Sequence, residues 1–181
     1  MRDNYSVKYW QSNAVFLGLI LAMLVGGGLR LYDLAGESAW CDEALSTYCL
    51  PAASLAEFQD RVYLDDPVIR VAPMYHFALY SWSTVWGGGL YELRMFSVLL
   101  GLLCIALVYG IAHRVGGHRA AHVGAFFQAM SMFQIYFSQE VRFYALINVL
   151  ALISIVGMIW IVDGKWRAGL SLNVLANAAL M

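Results

Sequence analysis

The sequence predicts an all-α protein: a polytopic transmembrane helical bundle whose long first outer loop carries in-plane amphipathic helices. Three observations predict it. Apolar residues make up 61% of the chain and charged ones 13%, with a mean hydropathy of +0.65, whereas soluble domains carry about a quarter charged residues. The apolar residues gather into separate runs of about twenty, enough at 1.5 Å per residue to cross a hydrocarbon core of about 30 Å. The polar stretches between runs differ in charge: some are basic, others acidic.

The N-terminal MRDNYSVKYWQSN is polar and basic, and the run after it is too long for a signal-peptide core and lacks an A-x-A cleavage site. It is expected to stay as a first span over residues 14–32. Gly26, Gly27 and Gly28 near its end suit either close helix packing or a flexible exit. Residues 33–91 form a polar, acidic first outer loop. Spans follow at 92–113, 120–137 and 143–162, joined by RVGGHR and SQEVR, and after DGKWR a fifth starts near 168.

The segment PMYHFALYSWSTVWGGG, 73–89, either crosses the bilayer or lies flat in its interface. Lying flat puts Arg2, Lys8, Arg114, Arg119, Lys165 and Arg167 on one side, the cytoplasmic side by the positive-inside rule, joined by only Asp3 and Asp163 of the twelve acids. Its Tyr and Trp content also suits the headgroup level, so an in-plane helix is expected. The loop stretch DEALSTYCLPAASLAEF spaces Leu45, Tyr48 and Cys49 as a helix would, with Pro51 opening a second helical segment.

The net charge of -1 and the lack of a Lys/Arg cluster argue against nucleic acid as a partner. Cys41, Cys49 and Cys104 are too few for a disulfide framework and lack metal spacing, which leaves them as small apolar fillers.

Ionisable groups near a bilayer are costly and need a solvent, a partner or a site. Within SAWCDEALSTYC, Asp42 and Glu43 either cap a helix start or serve as an outward general base or metal ligand. In YFSQEVRFYAL, Glu140 and Arg142 are either a surface pair or site residues, and the permanent charge and fork geometry of Arg142 suit a phosphate. Arg30, Arg70 and Arg94 are expected on the same face, as phosphate contacts or snorkelling anchors. His76 is an interfacial histidine or a substrate contact, Asp65 and Asp66 before Pro67 mark a turn, and His113, His118 and His122 are solvated caps on the inner side.

Together, RLYDLAGESAWCDEALST, APMYHFALYSW, the long ELRMFSVLLG run and YFSQEVRFYAL resemble the N-terminal part of the GT-C membrane glycosyltransferases, in particular the branch with protein O-mannosyltransferases and lipid A aminoarabinose transferases. The resemblance spans about residues 29–146. It implies transfer of a sugar from a polyprenyl-phosphate donor to a protein or lipid acceptor on the outer face of a membrane, such as the bacterial inner membrane. It maps a catalytic acid onto Asp42 with Glu43 beside it, and the second-loop acidic, Arg and Tyr residues onto Glu140, Arg142 and Tyr144, with His76 a candidate substrate contact from its place in the outer loop. Arg142, with Arg94 and Arg70, would hold the donor phosphate, and Asp42 with Glu140 a divalent Mg or Mn ion.

Two features depart from the family pattern. Val71, Ala72 and Pro73 stand where many relatives have a double proline or a basic residue, and relatives carry more spans. The chain is therefore expected to be a truncated enzyme whose remaining spans, or a partner subunit, complete the donor site. A non-catalytic membrane module and an ion-coupled transporter are the competing classes.

Overall fold

The computed structural model describes residues 3–48, 50, 52, 54–64 and 72–179, with backbone only for 3–15 and 62–64. Arg2, Cys49, Pro51, Asp65, Asp66, Pro67, Arg70 and Val71, singled out above, lie outside the described residues. All regular structure among the described residues is helical: α1 (Asp3–Leu31), α2 (Cys41–Thr47), α3 (Leu55–Leu64), α4 (Pro73–Trp86), α5 (Leu90–Met130), α6 (Met132–Ser138), α7 (Tyr144–Val162) and α8 (Trp166–Ala178).

Among the described residues, α5 and α7 are long and apolar enough to cross a membrane. Only 28% and 17% of their most apolar windows are buried inside the protein. The core helix of a soluble protein would hide most of such a surface, so these faces fit a lipid solvent. At 14 residues, α4 is about 21 Å long, short of the hydrocarbon thickness.

The apolar run 92–113 lies in the first arm of α5, which breaks at Gly117, where φ is 72° and ψ is -167°, while the run 120–137, expected as one span, is divided between the second arm and α6. Only glycine adopts that conformation readily. The arms run antiparallel, since the Cβ position of Gly124 lies 3.3 Å from Val108 and 3.4 Å from Ala112. Ala121, Ala125 and Ala129, one helical turn apart, are fully buried against Ile105 and Ala22, a small-residue stripe that brings α1 and both arms close. Phe127 and Val123 point outward. The second arm stops at Ser131, which is extended, and α6 resumes from there.

The glycine triplet does not interrupt α1. A Cβ on Gly26 would lie 2.5 Å from Ile105, whereas one on Gly28 would meet nothing within 4 Å, so the first of the three is the packing residue. Helices α7 and α8 meet backbone to backbone, where a Cβ on Gly169 would sit 2.6 Å from the carbonyl oxygen of Gly157. Asn173 donates to the Ser154 carbonyl and hydroxyl oxygens at 3.1 and 2.8 Å across this interface. Gly169→Ala is expected to destabilise the protein by about 1–3 kcal/mol through overpacking against backbone, while Gly28→Ala is neutral or stabilising. Thermal unfolding in detergent checks both, and equal effects would contradict the assigned contact.

The first-loop helices pack differently from the apolar spacing expected above. The inward face of α2 is Glu43 and Ser46, while Leu45 is half-buried and Tyr48 is exposed. Phe58 of α3 is fully buried against Phe77 and Tyr80 of α4. In turn α4 docks on the start of α5, where the Trp82 indole N–H donates to the Glu92 carbonyl at 2.8 Å. Cys104 is buried as a filler would be, but Cys41 is exposed.

These contacts give the helical structure two chemically distinct ends. At one end Arg114 pairs with Asp163, joining the links RVGGHR and DGKWR, and His113 bonds His118 at 3.0 Å. At the other end the exit of α1, α2, the start of α5 and the α6–α7 corner converge.

Candidate functional site

The second end is organised around the sequence Ser138-Gln139-Glu140-Val141-Arg142, and each residue has its own task. The Ser138 hydroxyl accepts from Arg30 Nε at 3.2 Å. Gln139 Nε2 donates to the carbonyls of Arg30 and Tyr32 at 3.2 and 2.9 Å, satisfying the end of α1. The Val141 amide donates to Glu43 Oε1 at 2.9 Å. Arg142 reaches Asp42, and Glu140 faces a cleft.

Glu43 is fully buried and forms a two-point ion pair with Arg94: Nε to Oε1 at 3.0 Å and Nη2 to Oε2 at 2.7 Å. Arg94 Nη1 donates to the carbonyls of Leu34 and Glu37 at 2.8 and 3.0 Å. Arg94 is itself buried. Its guanidinium therefore clamps three segments together, and it is engaged with Glu43 and backbone instead of an open site. Burial raises the Glu43 carboxyl pKa, but the Arg94 hydrogen bonds, the Val141 amide and the Arg94 charge outweigh it and hold the group below its usual range.

Asp42 points elsewhere, because neighbouring helix residues diverge by about 100°. Its side chain is 41% exposed and pairs with Arg142 Nη2 at 3.3 Å, while Arg142 Nη1 donates to the Asp42 carbonyl at 3.2 Å. The Arg142 side chain is 9% exposed, lies over the Phe143 and Tyr144 rings at 5.2 and 5.6 Å, and keeps a buried Nε without a partner among the described residues. Tyr144 thus supports Arg142 through its ring face, itself packed on Phe137.

His76 is buried at the start of α4, with Nδ1 2.9 Å from the Ala72 carbonyl. That contact requires the proton on Nδ1 and leaves Nε2 as an acceptor. Burial lowers its pKa, the Ala72 bond opposes this in part, and the Arg142 charge lowers it further. Arg30 is fully buried and serves as a helix-end clamp, donating to the carbonyls of Gly26, Ala129 and Gln128 as well as to Ser138. Its sequence position near the membrane boundary gave no sign of this interior role.

Glu140 lines a cleft of about 650 Å³ together with Tyr32, Asp33, Glu37, Trp40, Glu43, Arg94 and Tyr136. It is 7% exposed, and its Oε2 has no hydrogen-bond partner among the described residues. Burial raises its pKa most, the Tyr136 hydroxyl and the Arg142 charge oppose the rise, and the charges of Glu43 and Asp42 add to it. A raised folded-state value contributes stability that is present below the ordinary 4.5 and lost as pH rises through the folded value. Glu140→Gln is therefore expected to raise the thermal midpoint at pH 7 and not at pH 4. A lower midpoint at pH 7 would contradict a buried carboxylate with one unpaired oxygen.

The residues do not fit a divalent metal centre. Among the described residues no group of three or more His, Cys, Asp or Glu side chains has metal-holding geometry, and Asp42 already carries the Arg142 guanidinium. A hard divalent ion needs several oxygen ligands and would compete with that cation.

Comparison with known proteins gives no match, whether to family models, to curated sequences or to solved structures.

Proposed function

We propose that this chain is a membrane glycosyltransferase module that takes a sugar from a polyprenyl-phosphate donor and passes it to an acceptor at the non-cytoplasmic surface. What supports this is the Asp42–Arg142 pair: a half-open carboxylate from the first loop, held beside a guanidinium with a spare buried donor, from positions 100 residues apart. The basic links at the opposite end, with Arg114, Arg119, Lys165 and Arg167, favour the cytoplasmic side by the positive-inside rule, so the pair would face outward. In this reading α1, the first arm of α5, the second arm continued by α6, and α7 cross the bilayer, α8 begins a further crossing, and α2 to α4 lie at the headgroup level.

Asp42 accepts the proton of the acceptor nucleophile as the nucleophile forms its bond to C1 of the sugar. The C1–O bond breaks, and its electron pair leaves on the lipid phosphate. Arg142 stabilises that growing charge through a charge-assisted hydrogen bond. Glu43 and Arg94 position α2 and touch neither substrate, so the donor phosphate falls to Arg142. No step requires a metal.

Reconstituted in lipid nanodiscs, the chain is expected to bind polyprenyl monophosphate, and Arg142→Glu to weaken binding at least about tenfold. A lipid-binding titration measures this. Equal binding of polyprenyl phosphate and uncharged polyprenol would refute the donor assignment.

A further inference from the structure

We propose that the cleft between the exit of α1 and the α6–α7 corner is a binding site for a primary ammonium group, with Glu140 as its anchoring carboxylate. The site stands apart from the sugar-transfer proposal, because it is defined by equilibrium binding alone.

Its volume of about 650 Å³ suits a ligand the size of a monosaccharide or a lipid headgroup. Four carboxylates line it, from Asp33, Glu37, Glu43 and Glu140, against one described cation, Arg94. Arg94 is already committed to Glu43 at 2.7 Å. Arg142, behind the cleft wall, also acts on Glu140 but is paired with Asp42, so Asp33, Glu37 and Glu140 leave an acidic excess that favours a cation over a phosphate.

Glu140 adds an independent sign of a ligand. Its side chain is more than nine-tenths buried and lines the cleft, and Oε2 lacks a partner among the described residues. An unpaired buried carboxylate oxygen is costly unless a donor arrives to meet it.

The walls decide which cation. Tyr32, Trp40 and Tyr136 line the cleft with substantial exposed ring surface. Aromatic faces attract organic ammonium groups, whereas Mg²⁺ keeps its waters and requires an octahedron of oxygens. No cluster of three ligating side chains is present among the described residues. An N–H of a primary ammonium would meet Glu140 Oε2, while Asp33 and Glu37 supply negative charge from the walls.

An ammonium of this kind sits on a free amino sugar or on a phosphatidylethanolamine headgroup, and both are tested. The full chain in phosphatidylglycerol nanodiscs is titrated with glucosamine and with its uncharged counterpart N-acetylglucosamine, followed by tryptophan fluorescence. Glucosamine is expected to give a saturable response and N-acetylglucosamine none. Glu140→Gln should weaken the response at least about tenfold, and Glu37→Gln, at an exposed wall position, by a smaller factor. Glu140→Gln removes a buried charge and is expected to fold, and Glu37→Gln gives a second reading at the surface.

Adding phosphatidylethanolamine to the nanodiscs separates the sources. Suppression of the glucosamine response supports the site with a headgroup as occupant, and an unchanged response supports it with a soluble amine. Equal responses to the two sugars, an unaltered response in Glu140→Gln, or displacement of glucosamine by millimolar MgCl₂ at matched ionic strength would overturn the proposal.

Discussion

Replacing Glu43 by glutamine is expected to cost about 3–5 kcal/mol of stability, the range for removing one partner of a buried ion pair. The Glu43 carboxylate receives Nε and Nη2 of Arg94 and the amide of Val141, and both side chains are buried. Glutamine keeps one acceptor oxygen, presents an NH₂ toward a guanidinium, and leaves buried Arg94 without its ion-pair partner, held by the Leu34 and Glu37 carbonyls alone. Thermal unfolding in detergent measures the loss. The double variant Glu43→Leu with Arg94→Met should recover much of it, because an apolar pair in place of a buried ion pair is often neutral. A single-variant loss under about 1 kcal/mol would mean that water reaches the pair.

The same pair sets an acid limit. The Glu43 carboxyl is held below its ordinary 4.5 despite burial. Its stabilising contribution is therefore present above the unfolded-state value and is lost as pH falls through the lower folded value. Glu140 runs the opposite way, so the two adjacent acids of this end respond to acidification with opposite sign.

Much of the helical framework was legible in the sequence, because a run of about twenty apolar residues has few structural outcomes. The apolar runs at 92–113 and 143–162 fall within α5 and α7. The reversal at Gly117 was marked by its glycines, but the end of the second arm at Ser131 was not, since the residues on both sides are equally apolar. That boundary follows from long-range contacts: Arg30, on another helix, binds the carbonyls of Gln128 and Ala129.

The site was legible as a list and not as a set of partners. Adjacent carboxylates in a helix point about 100° apart, so one of Asp42 and Glu43 had to turn inward, yet nothing local says which. The choice is made by Arg94 and the Val141 amide, 51 and 98 residues further on. The apolar spacing of Leu45 and Tyr48 misled for the same reason, because the buried face of α2 is bought with a paired charge, not with apolar area. The cleft around Glu140 needs Tyr32, Trp40 and Tyr136 from three separate segments, which no sequence window contains.

Asp42→Asn separates chemistry from architecture. If Asp42 takes the acceptor's proton, the variant should lose about 10²–10⁴-fold in sugar transfer from a polyprenyl-phosphate donor, assayed in membranes that supply native acceptors. Folding should hardly change. The Asp42 side chain is 41% exposed, its pair with Arg142 spans 3.3 Å, and Arg142 keeps its 3.2 Å bond to the Asp42 carbonyl whatever the side chain. Asp42 is the open partner of a pair whose Arg142 side is buried, and asparagine keeps a polar oxygen beside that guanidinium, so the loss should be small beside that of Glu43→Gln. The expected pattern is therefore crossed: Glu43→Gln lowers the melting midpoint strongly, and Asp42→Asn lowers transfer at an almost unchanged midpoint. Near-normal transfer in folded Asp42→Asn would remove Asp42 from the reaction. A large loss of stability would instead make Asp42, like Glu43, a residue that holds α2 against the corner before α7.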